Sequence, residues 1–78
     1  MNYSTPSIRA SRAVRALLHD RRESQEQLAE ATGISLSTLK RRMLNISPFT
    51  INELFAIARH FGVGIEDVLS SPMERVAV

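Results

Sequence analysis

The stretch "SLSTLKRRM", residues 35–43, places two serines, a threonine and three consecutive cations on one short segment. Hydroxyls and an arginine fork can donate to base edges, while long cationic stems reach phosphates. On a helical wheel of about 100° per residue, Leu36, Leu39 and Met43 fall on one side. Ser37, Thr38, Arg41 and Asn45 fall on the other, with Arg41 nearest its centre and Lys40 and Arg42 on its flanks. The pattern predicts a helix built for the major groove of duplex DNA. Arg41 would pair bidentately with guanine, and Ser37 would read bases or a phosphate. Lys40 and Arg42, with Thr38 and Asn45, would take phosphates.

No other chemistry competes. His19 and His60 stand apart from any carboxylate or cysteine arrangement that would hold a metal. No nucleophile is fixed beside a base, and no glycine-rich phosphate loop occurs. The expectation is no catalysis, no cofactor, no metal and no small-molecule ligand.

Charge distribution points the same way. The 78 residues carry a net charge of only +2. Residues 1–22 hold five Arg against one Asp, and residues 35–49 hold one Lys and two Arg with no acid. Residues 23–34 and 50–78 are net acidic. A one-sided basic surface attracts a polyanion, whereas charges that only solvate helix faces would be more evenly mixed. There is no cysteine, hence no disulfide framework or thiolate zinc site. No apolar run approaches a membrane span, and no charged-then-apolar leader is visible. A cytoplasmic protein of one domain over residues 1–78 is expected, with its core at about 5–71.

The segments that must position these groups all read as helices. Thr5-Pro6 opens a first helix with Ile8, Val14, Leu17 and Leu18 inward, running to about His19 or Asp20. Ser24 and Gln27 form a capping box for a second, ended at Gly33. Ser35 caps a third over 35–44, and Pro48 breaks the chain beyond it. Thr50 and Glu53 form another capping box, before an apolar set of Leu54, Phe55, Ile57, Ala58 and Phe61, stopped by Gly62. Ile65, Val68 and Leu69 mark a last short helix, 65–70. The reading is an all-α, five-helix bundle with a central helix-turn-helix, since a turn at Gly33 makes the third helix project.

Residues from about 12 to 69, in particular "VRALLHDRRESQEQLAEATGISLSTLKRRM" and "SPFTINELFAIARHFGVGIEDVL", resemble the lambda-repressor and Cro-like helix-turn-helix family. The stretch "TLKRRMLNISPFTINEL" is similar to small regulators of actinobacterial phages and prophages. The resemblance implies a double-stranded DNA-binding repressor whose third helix enters the major groove. Its base-facing positions fall here on Ser35, Leu36, Ser37 and Arg41, and its phosphate-holding glutamine on Gln25. The match departs at Thr32 and Arg42, where the family is usually apolar, and at Glu23, where it often is. Met43 is expected to supply the missing core contact.

Alternatives remain open at this level. A helix-turn-helix can instead serve protein contacts, as in an antitoxin adaptor, although the cationic outer face favours DNA. Arg9, Arg12 and Arg15 form either a solubilising stripe or a phosphate-contacting arm, and Arg15 could serve an internal salt bridge. Arg21 and Arg22 suit the negative end of the first helix. Phe49, Phe55 and Phe61 suit core or interface. A weak homodimer, or two copies per operator, is expected, because one helix covers few base pairs. Its candidate contacts are the last helix and the tail, where "RVAV" alternates like a short strand. The bland reading of 72–78 is a frayed end or a linker to further chain.

Overall fold

A computed structural model describes residues 5–71 and contains five helices: α1 Pro6–Arg21, α2 Gln25–Thr32, α3 Leu36–Met43, α4 Ile51–Phe61 and α5 Glu66–Leu69. No strand occurs among the described residues, and the tail with its strand-like "RVAV" lies outside them. Four helices start where a side-chain oxygen meets an orphan amide. Thr5 accepts from Ile8, with Pro6 at the first helical position. Ser24 and Gln27 exchange bonds reciprocally, as do Thr50 and Glu53. Ser35 accepts from Thr38. Only α5 lacks a side-chain cap, and burial of Val68 anchors it.

Gly33 (φ 79°) and Gly62 (φ 69°) close α2 and α4 in the left-handed region. Two other helix ends adopt it without glycine, at Arg22 (φ 53°) and Asn45 (φ 61°). The first lets α1 run to Arg21, slightly past the expected Asp20.

The largest fully buried side chains, Val14, Leu28, Leu39, Met43, Ile57 and Val68, come from all five helices. Truncating Leu28, Leu39, Met43 or Ile57 to Ala would cost about 2–5 kcal/mol. Met43 supplies the expected core contact. Two assignments change. Phe55 is 50% exposed and Leu69 42% exposed. The buried stripe of α4 is Leu54, Ile57, Ala58 and Phe61, which leaves Phe55 off the core side. α1 packs on α5 and α3, and α2 packs on α3 and α4. α3 is therefore supported from two sides, and its remaining face is open. No helix among the described residues is long and apolar enough to cross a membrane.

Candidate nucleic-acid interface

The turn between α2 and α3 is built from its own residues. Gly33 is left-handed and its amide donates to the Ala29 carbonyl at 3.0 Å. Thr32, polar where an apolar residue was expected, donates its hydroxyl to the Leu28 carbonyl at 2.7 Å. The same oxygen accepts from the Ile34 amide at 3.4 Å. Its polarity is thus spent on closing the turn.

Along α3, Leu39 and Met43 are buried, and Leu36 is half-buried against the core. Leu36 thus turns part of its side chain to the core and leaves only the rest beside the predicted base-reading groups. Ser35, Ser37, Lys40 and Arg41 are exposed, and Thr38 is half-exposed. At the leading end the Ser35 hydroxyl donates to Thr38 Oγ1 at 2.9 Å, and Ser37 Oγ lies 3.4 Å from Ser35 Oγ. Three hydroxyls therefore cluster at the N-terminus of α3, where backbone amides also point outward. Gln25, half-buried at the start of α2, lines a cleft of about 200 Å³ together with Lys40, Met43 and Leu44. Two of the predicted phosphate ligands, Gln25 and Lys40, thus border one depression.

Arg42 departs from expectation. Its Nε donates to Glu53 Oε1 at 2.9 Å and its Nη2 to Glu53 Oε2 at 3.1 Å, while Nη1 reaches Ser47 Oγ. Its side chain is 18% exposed and that of Glu53 16%. A flank position on the wheel is equally a position at the edge of the core, and Glu53 on α4 captures the fork there. Burial alone would push the Glu53 carboxyl up, but hydrogen bonds from Arg42 and Thr50 and the Arg42 charge outweigh it, leaving it below its ordinary value. The hydrogen bond and charge of Glu53 raise the Arg42 pKa further, against a smaller effect of burial.

Asn45 departs too. α3 ends at Met43, so Asn45 is not on its outer face; its Oδ1 accepts from Ser11 Oγ on α1 at 2.9 Å. On α1, Arg9 and Arg12 are exposed. Arg15 makes an internal contact, donating to the Met43 carbonyl at 3.0 Å rather than to a carboxylate. Arg21 crosses to α4, donating to the Phe61 carbonyl at 3.0 Å with its guanidinium 5.7 Å from the Phe61 ring centre. His60 is not isolated: its Nε2 lies 2.6 Å from Glu23 Oε2.

Glu23 and Arg42, the two charges expected to depart from an apolar pattern, are each paired across the fold, with His60 and with Glu53. A charge at such a position is a signal that a partner exists, though not of which partner. Among the described residues no three His, Cys, Asp or Glu side chains gather so as to hold a metal ion.

A family model described as "Helix-turn-helix" matches residues 18–68, from the end of α1 into α5. No curated protein and no solved structure gives a match.

Proposed function

The chain belongs to the lambda-repressor-like helix-turn-helix family of DNA-binding transcription regulators, and from that premise we propose that it binds specific duplex sites by inserting α3 in the major groove. The observation that carries this reading is the open face of α3, where Ser35, Ser37, Lys40 and Arg41 are exposed while Leu39 and Met43 anchor the opposite side. Arg41 reads a guanine, and Ser37 with Ser35 contacts neighbouring edges. Lys40, Gln25 and Thr38 hold phosphates and set the register. The engaged groups, Arg42 and Asn45, shape the support instead.

Binding of this kind represses when the site overlaps a promoter, which is the role the family resemblance favours. Two copies on a repeated half-site supply the length of sequence that one helix lacks. Selection of bound sequences from a random duplex library tests the reading. Enrichment of a repeated motif of a few base pairs is expected; a library that emerges unenriched would favour a protein-contact role for the same face.

A further inference from the structure

The C-terminal end of α3 is closed by a Schellman motif. The Leu44 amide donates to the Lys40 carbonyl at 3.0 Å, Asn45 to Arg42 at 3.1 Å and Ile46 to Arg41 at 3.0 Å. The Met43 carbonyl, next in line, accepts from Arg15 Nη2 on α1. The backbone at position 45 asks only for a left-handed residue, and glycine meets that need without strain. Asparagine adds an amide, which meets Ser11 on α1 at 2.9 Å. Ser11 is buried, and its hydroxyl also has the Ile8 carbonyl within 3.0 Å.

We infer that Ser11, Asn45 and Arg15 are positioning residues, through which α1 grips the trailing end of α3 at two points and fixes how its outer face meets DNA. The inference rests on the reading that α3 enters the groove. Lys40 and Arg41 lie within the gripped turn. A rocking of about 1 Å there stretches a bidentate contact of about 2.9 Å beyond hydrogen-bond range. Loss of the Asn45 amide does not orphan the buried hydroxyl, which keeps the Ile8 carbonyl. Stability should therefore change little while geometry loosens.

The test uses Asn45→Gly, which preserves the left-handed backbone, and Ser11→Ala, which removes the same bond from the other side. Amide hydrogen exchange of the free protein is read at Leu44, Asn45 or its replacement, and Ile46. Affinity is read on a selected duplex and on random duplex. Both variants should exchange about tenfold faster at these amides, with those of Leu28 and Ile57 unchanged. Specific affinity should fall about five- to tenfold and random affinity less than twofold, the pattern of one weakened base contact. Unchanged exchange would overturn the grip. Faster exchange with an unchanged specific-to-random ratio would overturn its positioning role. If the parent protein shows no duplex binding, the DNA reading falls, and with it the positioning role, while exchange still decides whether α1 holds α3.

Discussion

Two adjacent arginines, Arg41 and Arg42, have opposite fates. Arg41 is exposed on the open face of α3, and Arg41→Ala should weaken specific binding by about 1–3 kcal/mol and relax preference at one base pair. Unchanged specificity in a binding-site selection would contradict that role. Arg42 is paired with Glu53, so its effect belongs to stability and pH. The Glu53 carboxyl lies below its ordinary value in the folded chain, so on acidification the unfolded chain takes up the proton first. The stabilisation is fully present above about pH 4.3, the ordinary carboxylate value, and is lost as pH falls through the lower folded value. Urea unfolding of the parent and of Glu53→Gln should therefore show a gap at pH 7 that narrows at about pH 3.5. A gap independent of pH would mean that the ion pair contributes nothing. The caps at Ser24, Ser35 and Thr50 were legible because donor and acceptor lie three residues apart. Arg15 with Met43, Arg21 with Phe61 and His60 with Glu23 were not, because their partners are 28 to 40 residues away.

At the scale of elements, four helices were readable from side-chain caps, two of them also from a closing glycine, and α5 only from the spacing of its apolar residues. The boundaries that shifted lack that punctuation. Arg22 ends α1 in a left-handed conformation that nothing in an arginine announces. α3 stops at Met43 because Asn45 turns left-handed, which removes Asn45 from the wheel on which it had been placed. Core and interface could not be told apart for Phe55, which is as apolar as its buried neighbours, and only the packing of α4 places it outside the core. Gly33 supports a direct prediction. A Cβ built there meets nothing within 4 Å, so the penalty it brings is backbone strain at φ 79°. Gly33→Val should cost about 1–3 kcal/mol in stability, and Gly33→Asn distinctly less. Equal melting temperatures for parent and valine variant would contradict the left-handed turn that sets α3 against α2.

The longest principal extent is 35 Å, so copies on half-sites roughly 34–36 Å apart, one helical turn of duplex, have room beside one another. A monomer or weak dimer in free solution should become a pair on an operator. Sedimentation of the protein and of its complex checks this; one copy on a full operator would contradict it. On the proposed reading, the open face of α3 meets a polyanion through Lys40 and Arg41, while Arg42 faces inward. The most direct test of that reading is the salt dependence of duplex binding for the parent, Lys40→Ala and Arg42→Ala. Parent affinity should fall about ten- to a hundredfold between 50 and 200 mM salt, as expected for a few phosphate contacts. Lys40→Ala should flatten the logarithmic slope by roughly one unit, and Arg42→Ala should leave the slope unchanged in the folded fraction. Affinity indifferent to salt, or a slope reduced by Arg42→Ala and not by Lys40→Ala, would contradict docking through the open face of α3.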